Sequence, residues 1–234
     1  ITSCTVIDSP GVYMLAQDIT GTYPGEKWCI KISTSDVVLD GQGHSIIGSR
    51  EWDTTGIVVE SAKNVIIKNI KILSYKTGLN LHHSHNIVIL NNLIANSSGA
   101  GIYLGTYSTA TIVVNNEIKN NYYGIRITFL STNNTIVKNI IENNKAGGIE
   151  VYYSINNVIE NNTITYNHYG VYLDHSENNT ITNNMIAYNK FDGIELYYSD
   201  NNVIMNNRVT NNENVGLNLD TSKKQPRLKQ FDSK

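Results

Sequence analysis

The sequence predicts an all-β fold, a right-handed parallel β-helix (a solenoid) of about nine coils with three short strands in each coil. The first observation is a tetrad, a glycine followed by alternating apolar and variable residues, which occurs eight times at a period of about 23 residues. The second is asparagine, which recurs in step with the tetrads. The tetrads begin at Gly56, Gly78, Gly101, Gly124, Gly148, Gly170, Gly193 and Gly216.

Each tetrad predicts a strand with one buried face, because apolar residues alternate with variable ones. A second short strand follows an asparagine about nine residues later, and a third follows another asparagine or asparagine pair. The second strands follow Asn64, Asn86, Asn134, Asn157, Asn179 and Asn202. The third strands follow Asn69, Asn92, Asn116, Asn139, Asn162, Asn184 and Asn207.

Stacking of successive coils is required, because the three strands of one repeat cannot pair with each other. Equivalent strands of neighbouring coils then pair in parallel at about 4.8 Å and form the three faces of a prism. The corner asparagines are expected to form amide ladders and to adopt left-handed backbone angles. The first apolar residues of the tetrads should stack inside: Ile57, Leu79, Ile102, Ile125, Ile149, Val171, Ile194 and Leu217.

The repeats divide the chain into an N-terminal cap at residues 1–35, the β-helix at 36–220 and a basic C-terminal tail at 221–234. Both cysteines, Cys4 and Cys29, lie before the repeats, where a disulfide would fix the irregular segment to the first coil. Two buried free thiols are the alternative.

Composition excludes several classes of protein. A net charge of -2 provides no basic surface for nucleic acid, and no apolar run approaches the length of about 18 residues that spans a membrane. The chain begins at Ile1, as a secreted protein does after signal cleavage, so we expect an extracellular or cell-surface location. Four sequons are expected glycosylation sites: Asn96, Asn133, Asn161 and Asn178.

The segment from Val37 to Gly48, followed by Gly-Ile-x-Val and Asn-x-Ile repeats, resembles the NosD-like parallel β-helix family, which carries the carbohydrate-binding and sugar hydrolysis module. The resemblance covers residues 4 to about 220 and implies the fold. The family includes surface proteins of archaea and bacteria, and polysaccharide lyases, epimerases and hydrolases share its architecture. A copper role is not expected, because the three methionines are scattered and no cysteine cluster exists. We expect no cofactor and no metal.

The outward residues of the tetrad strands form a candidate site, since the resemblance places the active sites of pectin-degrading β-helices on this face. Glu150, Asp174 and Glu195 are the candidate catalytic carboxylates. Glu150 and Glu195 lie two coils apart, about 9.6 Å at their Cβ atoms, within the window of inverting glycoside hydrolases. The candidate ligand-binding residues are Tyr103, Arg126, Tyr152, Tyr172 and Tyr197, on which sugar rings could stack.

Other observations argue against an enzyme. A solvated sheet face carries charged and aromatic residues in any case, and the motif series of polygalacturonases, pectate lyases and alginate epimerases are missing; Arg126-Ile127, for example, is followed by Thr128. The only histidine cluster is His82, His83 and His85. Adjacent strand residues point in opposite directions, so the pattern favours corner histidines over a metal site.

Two functions therefore remain open. The first is a cell-surface structural protein that assembles end to end into a fibre or layer, joined through the coil ends and the tail, because no cap follows the last tetrad. The second is a carbohydrate-active or glycan-binding protein that uses the outer face of the first sheet, as a polysaccharide hydrolase or lyase would. The uncovered last coil favours the first, and the missing motifs lean against catalysis without deciding it.

Overall fold

The computed structural model describes residues 1–49, 53–222 and 225–229, which form a parallel β-helix of nine complete coils. Three parallel sheets, A, B and C, run the length of the prism. The fold predicted from the repeats is confirmed. Within these described ranges there is no helix, and none that could cross a membrane.

Sheet A contains the tetrad strands. Its order is β1 (Thr5–Ile7), β4 (Trp28–Ile32), β7 (Thr55–Glu60), β10 (Thr77–His82), β13 (Ala100–Leu104), β16 (Tyr123–Thr128), β19 (Gly147–Tyr152), β22 (Tyr169–Asp174), β25 (Ile194–Tyr197) and β28 (Leu217–Asp220).

Sheet B contains the second strand of each coil. Its order is β2 (Gly11–Met14), β5 (Val37–Asp40), β8 (Lys63–Lys68), β11 (His85–Leu90), β14 (Ile112–Val114), β17 (Thr135–Val137), β20 (Val158–Glu160), β23 (Thr180–Thr182), β26 (Val203–Met205) and β29 (Arg227–Lys229).

Sheet C contains the third strand of each coil. Its order is β3 (Ile19–Thr20), β6 (Ser45–Ile47), β9 (Lys71–Leu73), β12 (Leu93–Ala95), β15 (Glu117–Lys119), β18 (Ile140–Glu142), β21 (Thr163–Thr165), β24 (Met185–Ala187) and β27 (Arg208–Thr210).

The core is the column of inward residues. Ile125 pairs with Ile149, which pairs with Val171, and all three are fully buried. The eight tetrad residues expected inside do stack in this order, although Leu217 on the last coil is only half-buried. Each coil thus covers the apolar side chains of the coil before it.

The two ends of the chain belong to the solenoid more fully than the repeats suggest. Residues 1–35, expected as a cap, contribute β1 to β4, because Ile7, Leu15 and Ile19 occupy core positions as the repeat residues do. Cys4 and Cys29 form a disulfide between the first two coils, with their Cα atoms 4.5 Å apart.

At the other end, the coil continues past the expected boundary at residue 220. The backbone N–H groups of Ser199 and Asn202 donate to the side chains of Ser222 and Gln225, each at 2.8 Å. These bonds lead the chain to β29, which pairs with β26. Of the expected basic tail, residues 223–224 and 230–234 lie outside the described residues.

Asparagine ladders lie at the corners, as expected. The same asparagine was expected to adopt the left-handed conformation and to form the ladder bond, but in an asparagine pair these two roles belong to different residues. In a pair such as Asn161-Asn162, Asn161 adopts a left-handed φ of 55° and is exposed, whereas Asn162 is buried and bonds to the next coil. The main ladder is Asn92, Asn116, Asn139, Asn162, Asn184 and Asn207. A second ladder is Asn134, Asn157, Asn179 and Asn202. A third, unforeseen, is Asn121, Asn144, Asn167, Asn189 and Asn212.

Candidate functional site

The outward side chains of sheet A form two rows that cross successive coils. The first row is Tyr103, Arg126, Glu150, Tyr172, Glu195 and Asn218. The second row is Thr128, Tyr152, Asp174, Tyr197 and Asp220. Glu150 and Glu195 therefore share a row with Tyr172 between them, while Asp174 lies in the neighbouring row.

Glu150 is the most buried of the three candidate carboxylates, with 7% of the residue exposed. Arg126 Nη2 donates to Glu150 Oε1 at 3.0 Å, and the same guanidinium lies 4.8 Å from the centre of the Tyr123 ring. Burial raises the pKa of the Glu150 carboxyl above its ordinary value of 4.5, and Arg126 offsets part of this rise. The structure thus holds a desolvated carboxyl in a fixed position.

A pocket of about 290 Å³ opens above Glu150 on the sheet C side of sheet A. Aromatic side chains and the buried Glu150 carboxyl contribute to its lining. The lining residues are Tyr122, Tyr123, Lys145, Ala146, Gly147, Glu150, His168, Tyr169 and Tyr172. Burial raises the pKa values of Tyr123, Tyr169 and Tyr172, so the phenols stay protonated to still higher pH and can donate hydrogen bonds. An amphipathic ring can enter between such walls.

A second pocket, of about 510 Å³, continues along the same corner. Lys145, His168 and Lys190 occupy equivalent positions on three successive coils, since each backbone N–H donates to the coil before it. Lys145 and His168 line both pockets. The corner therefore adds nitrogen donors beside the tyrosine-lined pocket.

Glu195 has a different environment. Burial, together with the nearby carboxylates of Asp192, Asp220 and Asp174, raises the pKa of Glu195 above 4.5. Asp192 is fully buried and accepts bonds from Asn214 Nδ2 at 2.7 Å and Asn218 Nδ2 at 3.0 Å. Glu195 is not among the residues that line the pocket over Glu150, because Tyr172 stands between the two carboxylates.

The second row packs against a column of stacked rings at the corner between sheets A and B. Tyr153, His175 and Tyr198 stack on successive coils, with ring centres 4.7 Å and 5.0 Å apart. Tyr152 and Tyr197 meet this column edge to face, and Asp174 Oδ1 lies 2.5 Å from Nδ1 of His175. In the column the faces of the rings cover one another, so the interior rings offer only their edges to a ligand.

The structure therefore brings together only part of the predicted set. Glu150 and Tyr172 line the pocket and Arg126 bonds Glu150, whereas Tyr152, Tyr197 and Asp174 contact the ring column. Tyr103 lies two coils from Glu150, where its hydroxyl accepts a bond from Thr128 Oγ1 at 2.9 Å.

Sequence reasoning missed the corner residues, which precede or open the tetrad strands. Tyr122, Tyr123, Lys145, His168 and Tyr169 all line the pocket. A signal was present in the sequence, because aromatic and basic residues occur just before consecutive tetrad glycines. The alternation within the strands, however, does not predict the direction of side chains at the corners.

The predicted modification sites lie at corners. Asn133, Asn161 and Asn178 are exposed, and Asn96 is half-buried. All four adopt a left-handed backbone conformation. Whether they carry glycans stays a prediction.

The three histidines of the sequence cluster have three different surroundings. Burial lowers the pKa of His82 on the outer face of sheet A, His83 stacks on Tyr107, and His85 Nδ1 lies 2.9 Å from Thr109 Oγ1. Within residues 1–49, 53–222 and 225–229, no group of three or more His, Cys, Asp or Glu could hold a metal ion.

Two family models match the sequence. One is described as a right handed beta helix region and matches residues 26–156, and the other is described as periplasmic copper-binding protein (NosD) and matches residues 106–226. The chain belongs to the NosD-like family of β-helix proteins. No curated protein matches it.

Copper does not fit the residues of this member of the family. Copper prefers thiolate, thioether and imidazole ligands, yet both cysteines are in the disulfide. Met14 and Met205 lie at opposite ends of sheet B, and Met185 lies on sheet C. The described part of the chain therefore shows no copper centre, and we derive no chemistry through one.

Solved structures of other proteins share the fold at low sequence identity. The Dettilon tailspike protein (gp208) superposes with a TM-score of 0.80 and 18% identity, over 94% of this chain and 51% of its own. The A-module of the Azotobacter vinelandii mannuronan C-5 epimerase AlgE6 gives 0.72 and 18%, over 89% and 61%. The periplasmic alginate epimerase AlgG gives 0.70 and 13%, over 93% and 70%. The chain thus spans about half the length of the tailspike protein.

Proposed function

We propose that this protein is carbohydrate-active and binds a polysaccharide across the outer face of sheet A, with one sugar residue in the pocket over Glu150. The observation that carries the proposal is the pocket itself, in which Tyr123 and Tyr169 flank a buried carboxyl. Sugar rings combine apolar faces with polar edges, and such walls provide ring contacts and hydrogen bonds together.

Glu150 is the group positioned for proton transfer to a bound sugar. Its raised pKa favours the protonated form that a general acid needs, and Arg126 fixes its orientation. Glu195 lies on the far side of Tyr172, so the pair of carboxylates expected from the sequence does not converge on one sugar in this pocket. Any turnover would therefore depend on Glu150 first.

The comparisons support the class of ligand. Two proteins that share the fold are named as epimerases of mannuronan and of alginate. The periplasmic description of the family and of AlgG, together with the disulfide, supports a location outside the cytoplasm, in the periplasm or beyond it.

The test is titration calorimetry with a panel of neutral and acidic polysaccharides, followed by product analysis. We expect at least one polysaccharide to bind, and Tyr169→Ala to weaken binding at least 10-fold, or about 1.4 kcal/mol. Glu150→Gln should abolish any turnover while the fold persists. Glu177→Gln, an exposed corner residue away from the pocket, is the matched control. Absence of binding across the panel, or unchanged binding in Tyr169→Ala, would refute the proposal.

End-to-end self-assembly is a second candidate. Leu217 and Leu219 on β28 are half-buried, whereas Ile194 and Leu196 one coil earlier are fully buried. A second copy stacked on this coil would cover them and pair its strand edges. Filaments seen by electron microscopy, and lost in Leu219→Lys, would support this candidate, and a protein that never forms filaments would remove it.

A further inference from the structure

The outer face of sheet B is apolar, unlike the outer faces of sheets A and C. One outward row is Val12, Val38, Ile66, Val88, Ile112, Thr135, Val158, Thr180 and Val203. The other is Met14, Asp40, Lys68, Leu90, Val114, Val137, Glu160, Thr182 and Met205. From Leu90 to Met205 these rows contain one charged residue, Glu160.

These side chains point to solvent. Val12 is 70% exposed, Met14 is 54% exposed and Ile112 is 39% exposed, and most of the others are half-buried. The same positions of sheet C carry Lys71, Glu117, Lys119, Glu142 and Arg208. A contiguous apolar strip on one face of a prism marks a contact surface.

The charges at the edges of this strip are arranged symmetrically. Lys68 lies two coils before Val114, and Glu160 lies two coils after it. Leu90 and Val137 occupy the coils between. A two-fold rotation about the coil of Val114 reverses the order of the coils. It therefore exchanges the position of Lys68 with that of Glu160, and the position of Leu90 with that of Val137.

We propose that sheet B is the interface of a two-fold symmetric dimer, in which a second copy of this chain packs face to face with its coils running in the opposite direction. The axis passes through the coil of Ile112 and Val114 and runs along the strands. Each row then faces the same row of the second copy, so Lys68 meets Glu160 of the second copy at two symmetric places. Lys68 already bonds Asp40 at 3.2 Å, and an ammonium has further donors for a second carboxylate.

The remaining contacts of this arrangement bring no like charges together. Asp40 meets the neutral Thr182, Ile66 meets Val158, Val88 meets Thr135, and Met14 meets Met205. Sheets pack face to face at about 10 Å, which suits the regular outward side chains of a parallel sheet.

The area is that of a small interface. Nine coils at about 4.8 Å give a strip roughly 40 Å long, and the three residues from one row to the other give about 10 Å of width. The strip therefore covers roughly 400 Å² per copy, or roughly 800 Å² in total, at the low end of protein interfaces, so dimerisation should depend on concentration. Sheet A and its pocket stay accessible in this dimer, so the inference is independent of the proposed glycan site.

The first test is sedimentation velocity over a range of concentrations, with protein produced without N-glycans because the sequon at Asn161 adjoins Glu160. We expect a dimer for the wild type. Val114→Lys places two cations at the axis and should weaken dimerisation at least 100-fold. Ile140→Lys, an exposed apolar residue on the outer face of sheet C, is the control and should dimerise normally. Circular dichroism checks that both variants keep the β-helix.

The second test locates the axis by cross-linking. The described residues contain no free cysteine, so one introduced thiol reports on its own surroundings. Val114→Cys should form a covalent dimer with a short bismaleimide, because the axis brings the two copies of this position together. Met205→Cys, on the same face but four coils away, should not. A wild type that is monomeric at every concentration, or cross-linking that is equal at both positions, overturns the proposal.

Discussion

Asn139 and Asn162 form a buried amide pair that joins two successive coils. Nδ2 of Asn139 donates to Oδ1 of Asn162 at 3.0 Å, and the backbone N–H of Asn139 donates to the same oxygen at 2.9 Å. Nδ2 of Asn139 also donates to the carbonyl of Val113 at 2.8 Å. The two side chains thus satisfy the backbone N–H of Asn139 and the carbonyl of Val113 from inside the corner.

Asn139→Ala should lower the free energy of unfolding by about 2 to 4 kcal/mol, because it leaves several buried polar groups without partners. Lys138→Asn is the control in the same corner. Lys138 has a left-handed φ of 56° and is exposed, and asparagine tolerates that conformation well, so stability should stay equal or rise slightly. Denaturant unfolding measures both, and equal stability of the two variants would contradict the role of the ladder.

The tetrad glycines are required by close packing between coils. A Cβ atom on Gly148 would lie 2.7 Å from the carbonyl oxygen of Gly170 and 2.6 Å from Cγ2 of Ile164. We expect Gly148→Ala to destabilise the protein by about 2 kcal/mol or more, because the backbone must shift. Gly147→Ala is the adjacent control, since its nearest contact is Tyr123 Cδ1 at 4.0 Å. Thermal melts should give a lower melting temperature for Gly148→Ala than for Gly147→Ala. Similar melting temperatures would show that the coils accommodate the added methyl group without cost.

The raised pKa of Glu195 predicts a pH dependence of stability. The folded state binds this proton more tightly than the unfolded state does, so the contribution is fully present below the ordinary value of 4.5. It is lost as the pH rises through the higher folded pKa. Glu195→Gln should therefore remove this loss and be more stable than the wild type at neutral pH. Melting temperatures from about pH 4 to about pH 8 provide the measurement. Glu177→Gln should follow the wild type, and a Glu195→Gln curve parallel to the wild type would count against the shift.

The disulfide closes a loop with a sequence separation of 25 residues at the first two coils. The double variant Cys4→Ser/Cys29→Ser should lose about 3 kcal/mol of unfolding free energy, because the unfolded chain regains the loop's freedom. Wild-type protein unfolded in the presence of reductant should match the double variant. A difference between these two samples would mean that the serines, not the missing bond, cause the effect.

The alternation within each tetrad was enough to place side chains on the correct faces. Ile149 and Val151 point inward and Glu150 points outward because successive residues of a strand face opposite sides, whatever surrounds them. The fixed period was enough to align Glu150 with Tyr172 and Glu195 on consecutive coils. Strand pairing in a solenoid follows directly from such a repeat, so the architecture could be predicted.

The site could be predicted only in part. Alternation within the strands placed Glu150, Arg126 and Tyr172 on the outer face of sheet A, but Lys145 and Tyr169 also line the candidate pocket. These residues come from a corner, where the direction of a side chain depends on local backbone angles and packing rather than on period. The same reason explains why Tyr152 and Tyr197 turned towards the ring column.

The sequence by itself determined the β-helix, its three sheets and the inward and outward faces, because a period of about 23 residues and a period of two fix strand pairing and burial together. Only the tertiary structure decided that residues 1–35 form the first coil and begin the second, and that Arg227–Lys229 pairs with β26. It also decided where the pocket opens and how desolvation acts on Glu150. These features depend on contacts between coils and at corners, and such contacts exist only once the stack is assembled.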